Sequence, residues 1–160
     1  MKRGHRIVDT ELHLIEPADL WERGLPEPYR SQTAMVRPDH LRKDSGSRYS
    51  IGGKEMGEQE LNEWEALVQK QSARKLAQEP MLVEARSRCE PEVYLAGMDV
   101  EGIDVALLMP TITFLATTWD GIDAHHSLAL CRVYNDFAAK FAAADRHRFR
   151  FWGWLPRQDA

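Results

Sequence analysis

The segment Ile103-Asp104-Val105-Ala106-Leu107-Leu108-Met109 constrains the fold of this chain more than any other. Apart from Asp104 it is continuously apolar, without the alternation of a strand that has one face in water. Such a strand reads as buried on both faces, as in a parallel sheet. Directly before it, Pro91 to Glu101 reads as a helix with proline in its first turn, stopped by Gly102. Parallel strands need a crossover of this kind between them.

The same alternation of elements continues downstream. Residues 121 to 144 carry a helical pattern in which Leu128, Cys131, Tyr134, Phe137, Ala138 and Phe141 stack along one side. A basic tract, Arg146 to Arg150, then leads into a third strand over Phe151 to Leu155, ended by Pro156. Strand, helix, strand, helix, strand is the α/β signature.

The first strand, from Ile7, carries the chemistry. Its side chains alternate, so Val8, Thr10, Leu12 and Leu14 share one face and Asp9, Glu11 and His13 the other. Buried charges are costly unless they are paired or bind a cation. Glu11 and His13, two residues apart, can aim an oxygen and a nitrogen at one point, which is what a divalent metal takes from a strand end. The same pattern also describes a strand half exposed at a sheet edge, and Glu-X-His is a short, common string.

Between the first two strands the chain is less regular. Glu16 to Trp21 reads as a turn into a short helix, and Pro26 and Pro28 interrupt the chain beyond it. Residues 31 to 57 are polar and turn-rich, with a short hairpin strand around Arg48-Tyr49-Ser50-Ile51. Residues 58 to 79 show a narrow helical stripe (Leu61, Trp64, Leu67, Val68, Leu76) ended by Pro80. The region from about 31 to 90 therefore reads as an insertion on the scaffold, and long loops of that kind are often functional.

Composition narrows the function classes. A chain of 160 residues with 43% hydrophobic and 29% charged residues suits one soluble domain. A net charge of −4 gives no basic footprint for nucleic acid. No apolar run approaches the roughly 20 residues that span a membrane, and no signal core follows the basic N-terminus. Cys89 and Cys131 fit no metal or redox spacing, which points to reduced thiols in a cytoplasmic protein.

Several stretches in order resemble the amidohydrolase-related, metal-dependent hydrolase family, which includes aminocarboxymuconate semialdehyde decarboxylase and γ-resorcylate decarboxylase. Val8 to Trp21 is similar to its opening strand, and Met98 to Val105 to its second helix-to-strand junction. Tyr134-Asn135-Asp136-Phe137 and Leu155-Pro156-Arg157-Gln158-Asp159 also match. The likeness runs from about residue 6 to the end and is weakest over 31 to 90.

The resemblance implies a TIM-like (β/α)8 barrel with its site at the carboxyl ends of the strands. It implies Glu11 and His13 as metal ligands in the Glu-X-His form, binding Zn²⁺ or, with the harder carboxylate, Mn²⁺ or Mg²⁺. Asp9, Pro110, Thr111 and Thr113 are expected as supporting or pocket-lining residues. The expected chemistry is hydrolysis or decarboxylation of a small carboxylated or oxygenated compound, with no catalytic acid or base assigned.

A complete barrel needs roughly 200 residues or more. The 160 residues are accordingly read as one incomplete barrel domain of about three strand–helix units. The further His and Asp ligands of the family find no counterpart; His125 and His126 are expected on a helix surface, and His40 and His147 in solvated loops. The expected partners are a carboxylated substrate and either further copies of the chain or a completing C-terminal chain. A non-catalytic remnant or interaction module is the competing reading.

Overall fold

The computed structural model describes residues 4–17, 19–36, 48–51, 54–55, 90–111 and 121–157. Strand β1 spans Val8–Leu14 and is followed by the short helix α1, Leu20–Gly24. Three short strands come next: β2 (Thr33–Val36), β3 (Arg48–Ile51) and β4 (Lys54–Glu55). Helix α2 (Pro91–Glu101), strand β5 (Val105–Pro110), helix α3 (Ala124–Ala142) and strand β6 (Phe149–Phe151) complete the order.

A parallel sheet of order β1-β5-β6 forms the scaffold, with α2 leading into β5 and α3 carrying the chain from β5 to β6. A separate antiparallel sheet, β2-β3-β4, lies within the region expected to be an insertion. Arg48–Ile51 is thus the hairpin strand expected there, but it has two partners rather than one. The helix expected over residues 58 to 79 lies outside the described residues.

Helix α2 ends as its sequence dictates. Gly102 adopts φ 73°, its N–H and that of Ile103 return to the carbonyls of Asp99 and Met98, and the chain turns into β5. Helix α3 is capped by the Asp123 side chain, which accepts the His126 N–H at 2.9 Å.

Strand β5 corrects the expectation of burial on both faces. Ala106, Leu108 and Pro110 are buried, whereas Val105, Leu107 and Met109 are only partly covered. Tyr94 of α2, Tyr134, Ala138 and Phe141 of α3 and Phe149 of β6 belong to the same core as Ala106 and Leu108. Phe141 ties the layers together, its ring 5.0 Å from Tyr94 and 5.4 Å from Phe149.

The apolar stripe of α3 is rotated from the sequence expectation. Leu130, Cys131, Tyr134, Ala138 and Phe141 are buried, while Leu128 and Phe137 lie at its margin, partly covered. Strand β6 also begins earlier than expected, inside the basic tract. Phe149 is the buried anchor, and Trp152 and Leu155 are 51% and 75% exposed.

In β1 the alternation is interrupted. Val8 pairs with Val105 and Asp9 with Ala106, but Leu12 pairs with Leu108, leaving Thr10 and Glu11 opposite Leu107 alone. This extra residue is a β-bulge, and it resets the side-chain parity along the strand. Val8 and Thr10 consequently do not join Leu14 inside; Val8 is 52% exposed.

Candidate functional site

The carboxyl ends of parallel strands are where an α/β sheet assembles a site, because the connections leaving them converge there. In this chain β1 and β5 are adjacent and parallel, so His13 arrives beside Thr111, the residue after β5, with Glu11 two residues earlier on β1. Glu11 and His13 are both exposed.

The bulge decides how Glu11 is presented. Asp9 Oδ1 accepts the Glu11 N–H at 2.9 Å, so Asp9 folds onto the backbone at the irregular step.

Thr111 contacts three parts of the strand end. Its hydroxyl donates to the Leu14 carbonyl at 3.1 Å, and its oxygen also lies 3.4 Å from His13 Nδ1. Its N–H donates to Glu16 Oε1 at 3.1 Å. Pro110, the preceding residue, is buried in register with Leu14. Thr113 lies outside the described residues.

Sequence reasoning passed over Glu16. It is 0% exposed, a carboxylate inside the fold at the mouth of the strands. Only its position just after the apolar end of β1 could have drawn notice. Behind it stand two tyrosines. The Tyr94 hydroxyl donates to the His13 carbonyl at 3.3 Å and accepts the Ile15 N–H at 3.2 Å, holding the backbone on both sides of Leu14. Burial holds the Tyr134 hydroxyl well above the usual phenol range, with the Glu16 carboxylate adding to the effect.

The other candidates fall elsewhere. His126 is 1% exposed rather than on a helix surface: its ring stacks on Tyr29 and its Nε2 lies 2.7 Å from Thr33 Oγ1. His125 and His147 are exposed, and His40 lies outside the described residues. Burial pushes the Cys131 thiol up to about 11, which leaves it protonated and unreactive.

A carboxylate and an imidazole at one strand end suit a divalent cation, and His13 has a hydrogen-bonding partner on its other nitrogen, as metal-binding imidazoles do. Among the described residues, no three His, Cys, Asp or Glu side chains come together as a metal cluster.

Comparison with known proteins gives likenesses among solved structures. A scan against models of protein families gives no match, and a search of curated proteins gives none. Among solved structures, an amidohydrolase from Mycobacterium avium subsp. paratuberculosis K-10 superposes on 94% of this chain with a TM-score of 0.60 and 17% sequence identity. The chain spans 42% of the length of that protein. The likeness is one of fold: a mixed α/β chain whose parallel three-stranded sheet follows part of an amidohydrolase. No helix among the described residues is long and apolar enough to cross a membrane.

Proposed function

We propose that this chain supplies the opening strands of a metal-dependent (β/α)8 barrel of the amidohydrolase kind. In this reading it acts by hydrolysis or decarboxylation on a small carboxylated or oxygenated compound in the cytoplasm. The observation that carries the reading is the joint exposure of Glu11 and His13 on β1, with His13 at its carboxyl end beside the end of β5. Amidohydrolase-like order of the surrounding elements supports it.

Glu11 and His13 would hold the cation, and Asp9 and Thr111 would keep them in place. A divalent metal bound there would polarise a substrate carboxylate or carbonyl, or lower the pKa of a bound water. The remaining ligands and the proton-transferring group would come from strands other than β1 and β5. Further copies of the chain, or a chain that completes the barrel, would then be its partners.

Exposed Trp152 and Leu155, just beyond β6, support a second reading, an interaction module that docks on another chain. One experiment separates the two: metal analysis of the purified chain after equilibration with Zn²⁺ or Mn²⁺, run with size-exclusion chromatography. Stoichiometric metal on a defined species, lost in both Glu11→Gln and His13→Ala, supports the metal reading. Metal retained in either variant, or never bound by the native chain, removes it.

A further inference from the structure

We propose that Thr111 is a positioning residue that fixes the tautomer of His13, and that buried Glu16 holds Thr111 in place for this task. The inference rests on the metal reading above only for its purpose; the tautomer itself follows from the hydrogen bonds.

A threonine hydroxyl has one hydrogen to donate. In Thr111 that hydrogen is directed to the Leu14 carbonyl, which can only accept, at 3.1 Å. Toward His13 Nδ1, at 3.4 Å, the same oxygen can then serve only as an acceptor. His13 must carry its proton on Nδ1, and Nε2 is left with its lone pair. Which imidazole nitrogen stays bare is set by the bond the other makes, and a ligand needs the bare one.

Thr111 would not hold this position unaided, since it follows the last residue of β5. Glu16 Oε1 accepts its N–H at 3.1 Å, and Glu16 is wholly enclosed. The backbone of the strand end is fixed in turn by Tyr94 through His13 and Ile15. The arrangement runs from a buried carboxylate, through the backbone and hydroxyl of one threonine, to the ring of an exposed histidine.

The test is the ¹⁵N NMR spectrum of the His13 ring in the metal-free chain at a pH where the ring is neutral. The native protein and Thr111→Ser, which keeps the hydroxyl, should show protonated Nδ1 and bare Nε2. Thr111→Val, nearly the same shape without the hydroxyl, should lose that preference, and its Zn²⁺ affinity should fall about 10- to 100-fold. A native ring protonated on Nε2, or a tautomer unchanged in Thr111→Val, overturns the proposal. Should the native chain show the Nδ1–H ring but bind no Zn²⁺, the metal reading fails and the role of Thr111 stands.

Discussion

Asn135 of α3 holds Trp154 by both of its backbone polar groups: the amide Nδ2 donates to the Trp154 carbonyl at 2.9 Å, and Oδ1 accepts the Trp154 N–H at 2.7 Å. The side chain does for this segment what a neighbouring strand would do, because β6 has already ended at Phe151. Asn135→Ala should therefore lower unfolding stability by about 1–3 kcal/mol, the cost of leaving part-buried backbone groups unsatisfied. Asn135→Asp keeps an acceptor but sets a second oxygen against the Trp154 carbonyl, and should be no less costly. Urea denaturation checks both; two variants within about 0.5 kcal/mol of the parent protein, the range of ordinary surface changes, would show that the clamp is ornamental.

Helix α1 meets α3 at Gly24. A Cβ built there would stand 2.5 Å from Val133 Cγ1 and 3.1 Å from Cγ2. In an open helix, glycine to alanine stabilises by roughly 0.5–1 kcal/mol. Here the branched, stiff valine cannot retreat without shifting its own backbone, so overpacking decides the sign. Gly24→Ala should destabilise by about 1–3 kcal/mol. Combining it with Val133→Ala should recover much of the loss, and a double-mutant cycle with no coupling would mean that the two helices separate at little cost.

Asn135 and Gly24 also mark what the sequence can and cannot disclose. Helix α2 and its stop were readable to the residue, because Pro91 and Gly102 act locally through φ. Strand β5 was readable as a parallel-sheet strand, but its half-covered face was not, since coverage depends on what lies above it. The bulge in β1 left no local mark. Thr10 and Glu11 look like an ordinary alternating pair, and only the register with β5 shows that they share one partner. The end of β6 was misplaced because Trp152 to Leu155 are as apolar as a strand, while Arg148 and Arg150 concealed the strand that begins at Phe149.

The shared exposure of Glu11 and His13 was legible from spacing, since both alternate with the apolar Leu12 and Leu14. Glu16 was not, because nothing local distinguishes a buried carboxylate from a solvated one in a turn. The same holds for His126, whose burial comes from Tyr29 and Thr33, far away in sequence.

Arg148 concealed a strand for a physical reason: its guanidinium works as backbone glue at the foot of β5. Nη2 donates to the Ile103 carbonyl at 2.7 Å, Nε to the Asp104 carbonyl at 3.4 Å, and Nη1 pairs with Asp99 at 2.6 Å. The Asp99 side chain is 68% exposed, so that ion pair is worth at most about 1 kcal/mol. The carbonyl contacts are more enclosed and need the planar fork. Arg148→Lys should therefore cost more, about 1–2 kcal/mol, than Asp99→Asn. Thermal or urea unfolding that gives the reverse order would assign the binding to the ion pair instead.

His126 sets a pH dependence whose sign follows from its surroundings. The Thr33 hydroxyl donates to the Tyr29 carbonyl at 2.9 Å, so toward His126 Nε2 it can only accept, and the ring is held as the Nε2–H form. Burial pushes the folded-state pKa below the ordinary value of 6.5, with Asp123 pulling weakly the other way. As pH falls through 6.5 the unfolded chain takes up the proton first, and stability drops until the folded ring also protonates. The urea midpoint should therefore be lower at pH 5.5 than at pH 7.5. His126→Gln, which keeps a donor but cannot titrate, should flatten that difference. An equal slope in the two proteins between these pH values would place the titrating group elsewhere, and the stack of Tyr29 on His126 would then be a packing contact without electrostatic consequence.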